Sequence, residues 1–193
     1  MKRVCVFCGS SAGLRPVYQE AAKQVGAALC RQGLGLVYGG GGIGLMRVLA
    51  DTVLAGGGEV IGVIPKGLTA KEAAHPGLTD LRLVGSMHER KALMADLADA
   101  FIALPGGYGT LEEFCEVLTW AQLGIHHKPC GLLNVEGYYD PLLALFDRLV
   151  REGFLNAVNR SLVVEAREPD ALLAALARYR SPVKDRWIEQ AEA

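Results

Sequence analysis

The sequence predicts a doubly wound α/β domain of Rossmann type, three layers built on a mainly parallel sheet. Two observations lead there. Short runs that are apolar throughout recur along the chain, as strands buried on both faces do, and segments of helical period separate them. A third observation supports them: glycine-rich turns stand twice where a strand hands over to a helix.

In chain order, strand Arg3–Cys8 leads to helix Pro16–Arg31, and strand Gly35–Tyr38 passes through a glycine cluster into helix Gly44–Ala55. Strand Val60–Ile64 is followed by the one long loop, Pro65–Thr79, whose length predicts a substrate-facing role. Strand Leu81–Val84 precedes helix Ser86–Ala98, where Ser86 and Glu89 have capping-box spacing. Strand Ala100–Leu104 enters helix Thr110–Ile125 through a second glycine turn. Strand Cys130–Leu133, helix Pro141–Glu152, strand Leu162–Val164 and helix Pro169–Arg178 complete the pattern. The ligand is expected outside the carboxyl ends of the strands.

At 193 residues the chain fits one domain, residues 1–180, which buries roughly 70% of its unfolded surface. A polar tail, 181–193, carries Trp187 and Ile188, which pack on a partner or fray. A net charge of −1 gives no field that recruits nucleic acid or an acidic membrane. No stretch approaches the ~20 apolar residues of a membrane span, and the start lacks a secretory signal. Five scattered cysteines read as reduced thiols of a cytoplasmic protein. Cys5 and Cys8 have redox-motif spacing, but residues three apart on a strand face opposite sides. The four histidines show no ligand spacing, so no metal and no cofactor are expected.

The first glycine cluster, Gly39-Gly40-Gly41-Gly42-Ile43-Gly44, satisfies G-x-G-x-x-G. A dinucleotide site also wants an acid at the far end of the next strand, and Glu59 precedes that strand instead. Two readings remain: tight strand–helix packing, or close approach of a mononucleotide to Gly40 and Gly41. The second turn, Pro105-Gly106-Gly107-Tyr108-Gly109-Thr110, lets the backbone approach a ligand, and the first amides of the helix form a phosphate seat. Glu112 and Glu113 follow at once, and acids beside an anion cradle point to chemistry on the sugar of a nucleotide. The alternative is a capping box, with Thr110 as N-cap and Glu113 reaching back to its amide.

Arg90 lands within an apolar helical stripe, between Leu93 and Leu97 on one side and Met87 and Met94 on the other. That placement is costly unless a carboxylate or phosphate meets the guanidinium, or the side chain snorkels to the surface. The strand after this helix delivers the phosphate turn, so Arg90 and Glu113 are expected to face one cleft.

At these residues the sequence resembles the Lonely Guy family of nucleotide phosphoribohydrolases, long mislabelled as lysine decarboxylases. The family's G-G-G-x-x-G-L-M stands as Gly39 to Met46 and its P-G-G-x-G-T-x-x-E as Pro105 to Glu113, with Ser86-Met87-His88-Glu89-Arg90-Lys91 as the arginine-bearing helix start. The match runs in order over residues 1 to 180. The resemblance implies hydrolysis of the N-glycosidic bond of N6-modified adenosine monophosphates, releasing cytokinin-type bases and ribose 5-phosphate, with plain AMP as a second substrate. It also implies a homodimer. Carried over residue by residue, Arg90 and Glu113 are the catalytic pair. Glu72, Lys91, Gly107, Tyr108, Gly109, Thr110, Leu111, Glu112 and Thr119 match substrate-contacting positions. Arg47 departs from the pattern, since many relatives have glycine there. A cation at that helix start is expected to tighten anion binding or alter a partner contact.

Departure of a purine from ribose develops oxocarbenium character at C1′. A carboxylate at Glu113 stabilises that charge and orients or deprotonates water. Glu112 is expected to hold ribose hydroxyls and Arg90 to act electrostatically. Two rivals stand beside this reading. One is a non-catalytic nucleotide or cofactor carrier of the same fold. The other is a pyridoxal-phosphate decarboxylase using Lys66 or Lys91.

Overall fold

A computed structural model describes residues 1–68 and 74–183. Its strands are β1 (Arg3–Phe7), β2 (Gly35–Tyr38), β3 (Val60–Pro65), β4 (Asp80–Val84), β5 (Ala100–Ala103), β6 (Cys130–Leu133) and β7 (Val163–Ala166). They form one sheet in the order β4-β3-β2-β1-β5-β6-β7, with every neighbouring pair parallel. The helices are α1 (Pro16–Arg31), α2 (Gly44–Ala55), α3 (Met87–Leu97), α4 (Tyr108–Gln122), α5 (Asp140–Arg151), α6 (Ala157–Arg160) and α7 (Pro169–Arg178). The parallel sheet and the main helices stand where the hydrophobic runs place them. The short α6 and a 3-10 turn at Val135–Gly137 are additions, too brief to show a helical period.

Helices cover both faces. One core gathers Val25 and Leu29 of α1, Leu49 and Val53 of α2, and Leu172 and Leu176 of α7 against Val4 and Val6. The other gathers Met94 of α3, Phe114 and Val117 of α4, and Leu143 of α5 against Cys5 and Phe7. Each fully buried side chain of this size contributes about 1.5–3 kcal/mol. Alternation along β1 sends Cys5 into one core while Cys8 joins the other, so the two thiols do not form a redox pair. Glu59 binds Arg3 at 2.7 Å, at the amino end of β3 and away from the ligand edge, which disposes of the dinucleotide reading. Among the described residues no helix is long and apolar enough to cross a membrane.

Two helix starts decide where the site lies. Ser86 caps α3 by accepting the Glu89 amide at 3.1 Å, and Glu89 reaches back to the Gly85 amide at 2.7 Å, one residue beyond the expected one. Thr110 does not cap α4. The N-cap is Gly107, and Thr110 lies buried inside the first turn against Gly106. The glycine pair lets the chain enter the helix earlier than a threonine cap allows. The helix also ends earlier than expected, because Gly124 adopts a left-handed conformation (φ 74°) and Ile125 N–H bonds back to Trp120 at 2.9 Å.

Candidate active site

The chain winds outward from β1 to β4, then returns to lay β5 on the other side of β1. The carboxyl ends of β1 and β5 therefore flank a topological switch point, where open α/β sheets bind ligands. The turns after these strands touch, with the Gly9 amide donating to the Pro105 carbonyl at 3.2 Å. A cavity of about 300 Å³ opens there, lined by Gly9, Ser10, Ser11, Gly106, Gly107 and Tyr138. Tyr138 Oη donates to the Gly106 carbonyl at 2.7 Å and Tyr139 Oη to the Leu104 carbonyl at 2.6 Å, pinning the β5 turn from behind. Of these residues the glycine pattern announced only Gly106 and Gly107. The sequence reading missed Ser10 and Ser11, although the Cys-Gly-Ser-Ser run at the end of the first strand could have marked them; Tyr138 and Tyr139 had no signal.

The amides of Tyr108, Gly109 and Thr110 open α4 and have no acceptor within the helix, which places the positive end of its dipole at the cleft. A Cβ at Gly107 or Gly109 would meet nothing within 4 Å, so both positions border open space. Tyr108 is 93% exposed, and Leu111 is half-buried behind it.

Arg90 is 7% exposed and does not snorkel. Backbone carbonyls meet it: Nε donates to Val63 O and one terminal nitrogen to Gly39 O, each at 3.1 Å. The guanidinium thus sits on the carboxyl edge of β2 and β3. Gly39 is needed for this seat, since a Cβ there would lie 1.9 Å from the guanidinium. Glu113 is half-buried one turn into α4. Burial drives the Cys5 thiol well above the usual range, Glu113 adds to that, and Arg90 opposes it. Arg90 belongs to α3 and Glu113 to α4, two helices that pack on the same face of the sheet and are tied together by Lys91.

Lys91 and Glu112 are brought together, but with each other. Lys91 Nζ, 10% exposed, donates to Glu112 at 2.5 Å and Glu116 at 2.9 Å, tying α3 to α4. Burial pulls this ammonium down, and the two carboxylates outweigh it and hold it above its ordinary value. A Schiff-base lysine must be neutral to attack, so Lys91 is badly placed for pyridoxal chemistry. Thr119 stands apart. It lies about 13 Å along α4 from Thr110, bonds the Cys115 carbonyl at 2.8 Å, and lines a separate apolar groove with Leu118 and Phe146.

The first glycine loop is committed to protein contacts. Gly40 O accepts the His75 amide at 3.1 Å, Gly41 forms an antiparallel bridge with Ala74, and Gly44 (φ 59°) packs on the Ser10 backbone. These contacts give the three glycines a packing role. Arg47 turns to Asp51 at 3.4 Å along its own helix. Glu72 and the tail aromatic Trp187 lie outside the described residues.

A family described as "Possible lysine decarboxylase" matches residues 46–176. The probable cytokinin riboside 5'-monophosphate phosphoribohydrolase LOGL5 of Oryza sativa subsp. japonica is 55% identical over 184 residues, 95% of this chain and 75% of that protein. The chain belongs to the Lonely Guy family. Another relative in it is the cytokinin riboside 5'-monophosphate phosphoribohydrolase LOG7 of Arabidopsis thaliana, 54% identical over 92% of this chain and 82% of its own. Among solved structures, the molybdenum cofactor carrier protein of Chlamydomonas reinhardtii superposes with a TM-score of 0.70 at 21% identity, over 92% of this chain and 96% of that one. The molybdenum cofactor binding protein of Rippkaea orientalis gives 0.67 at 24%, over 92% and 96%. At such identities the likeness shows a shared fold. The Lonely Guy motifs, in contrast, fall on the Arg90 seat and the α4 cradle.

Proposed function

We propose that this chain is a phosphoribohydrolase that cleaves the N-glycosidic bond of N6-modified adenosine 5′-monophosphates and of AMP. One observation carries the reading. The first turn of α4 starts directly after Gly107, which lines the cavity, Glu113 follows one turn later, and the Arg90 seat lies on the neighbouring carboxyl edge. The amides of that turn hold the 5′-phosphate, and that remote binding energy fixes the sugar over the carboxylate. As the C1′–N9 bond breaks, its electron pair goes to the purine and positive charge grows at C1′ and the ring oxygen. Glu113 stabilises that charge and takes a proton from the water whose oxygen bonds C1′. The purine gains one proton, so nucleotide and water become free base and ribose 5-phosphate. Arg90, charged but buried, acts electrostatically beside the nucleotide.

Glu112 serves the ribose hydroxyls only by sharing or releasing Lys91, so those two act as a coupled pair. Gly107, Tyr108 and Leu111 shape the cradle. Thr119 takes no part in the single-chain site. The same reading takes the working unit to be a cytoplasmic homodimer, which sedimentation and fractionation check.

Incubation with AMP and with isopentenyl-AMP tests the proposal. Free base and ribose 5-phosphate should appear in equal amounts. A carrier would return the nucleotide intact, and that result would reject hydrolysis.

A further inference from the structure

A polar pair, buried His75 and exposed Asp51, stands behind the first glycine loop and has no part in the chemistry above. The His75 ring is 7% exposed, and its Nε2 lies 2.8 Å from Asp51 Oδ1 on α2. Its Nδ1 accepts the Gly77 amide at 3.2 Å, so the proton sits on Nε2 and is donated to Asp51. One ring thereby satisfies two directional contacts. Arg47 also approaches Asp51, from the solvent side, at 3.4 Å.

The backbone of His75 reaches further in. Its amide donates to Gly40 O at 3.1 Å, next to the bridge between Ala74 and Gly41. One residue earlier, Gly39 O accepts from Arg90. Two successive carbonyls are thus gripped by different groups, one by Arg90 and the next by His75. The contacts close a ring: the glycine loop continues into α2, α2 carries Asp51, Asp51 holds His75, and His75 returns to Gly40. Burying an imidazole is costly unless its nitrogens are satisfied, and an apolar side chain would fill the same space without aligning anything.

We propose that Asp51 and His75 are positioning residues that brace the Gly39–Gly41 backbone and so hold the seat from which Arg90 faces the nucleotide. The inference rests on the phosphoribohydrolase reading and adds two residues which that reading does not use. The brace acts on the arginine seat, whereas the phosphate cradle on α4 stands on a separate strand.

The test compares His75→Ala, Asp51→Ala, the double variant and Asp51→Asn, each confirmed folded by circular dichroism. Turnover of AMP, inhibition by ribose 5-phosphate, and amide exchange at Gly41, Gly42 and Gly77 are measured. Each alanine variant should lose about tenfold in kcat, with ribose 5-phosphate inhibition within twofold of wild type. The double variant should fall no further than either single one, because the two residues act as one unit. Asp51→Asn keeps an acceptor for Nε2–H and should retain activity within about twofold. Unchanged kcat in the folded alanine variants, or losses that multiply in the double variant, would overturn the proposal. If wild type releases no base, the phosphoribohydrolase reading fails by itself. The brace then stands on faster exchange at the three glycine amides in the alanine variants and falls if exchange is unchanged.

Discussion

Replacing Gly39 by alanine probes the arginine seat without touching Arg90. The new Cβ would lie 1.9 Å from a terminal nitrogen of Arg90 and 3.0 Å from its Cζ. Ordinary contact needs about 3.5 Å, so the guanidinium must retreat by about 1.5 Å. Both of its 3.1 Å bonds, to Gly39 O and Val63 O, are lost in that retreat. A hydrogen bond from a charged donor is worth about 1.5–3 kcal/mol. A long side chain finds partial replacements, which leaves a net loss of about 2 kcal/mol, or ~4–8 °C in melting temperature for a domain of this size. Activity should suffer more than stability, since a displacement near 1 Å at a catalytic group costs about 10²-fold. Steady-state release of adenine from AMP, beside a thermal melt, reads both effects. A Gly39→Ala protein that melts lower yet turns over at the wild-type rate would refute the role given to the seat.

Three further outcomes follow from the same geometry. Glu113→Gln should keep the fold and bind AMP normally by calorimetry while turnover falls about 10²-fold or more; equal turnover would make Glu113 an ordinary acid of the first helical turn. Lys91→Met leaves Glu112 and Glu116 facing each other without their cation, so stability to urea should drop by about 1–3 kcal/mol and the KM for AMP should rise. Unaltered stability and KM would show the triad to be inert. His126 gives a pH signature: burial pulls its imidazole down to about 4, with the Lys128 ammonium acting the same way. Between pH 4 and about 6.5 the unfolded chain binds the extra proton, so stability is full above 6.5 and declines as pH falls, by at most about 3 kcal/mol. His126→Phe should flatten that decline in urea titrations at several pH values, and an unchanged slope would contradict it.

Much of this was legible in the chain because the signals are local. Uninterrupted apolar runs marked the strands, and the placement of Arg90 among Met87, Leu93, Met94 and Leu97 marked a buried charge. The partners of that charge were not legible. Val63 O and Gly39 O are main-chain groups brought up by strand pairing, and they carry no side-chain signature. Strand order was hidden for the same reason: pairing Val4 with Ala100 spans the sequence and alone puts Ser10 opposite Gly106. Thr110 misled because a capping-box pattern ignores the two glycines before it, which move the helix start. Lys91 with Glu112, and Asp51 with His75, join residues on different elements whose spacing follows no helical or strand period.

The most direct test is a crystal structure of Glu113→Gln with AMP bound. The phosphate oxygens should lie about 3 Å from the amides of Tyr108, Gly109 and Thr110, with C1′ of the ribose beside residue 113 and the Arg90 guanidinium on the same side of the cleft. Phosphate bound elsewhere, or a sugar turned away from residue 113, would contradict the account.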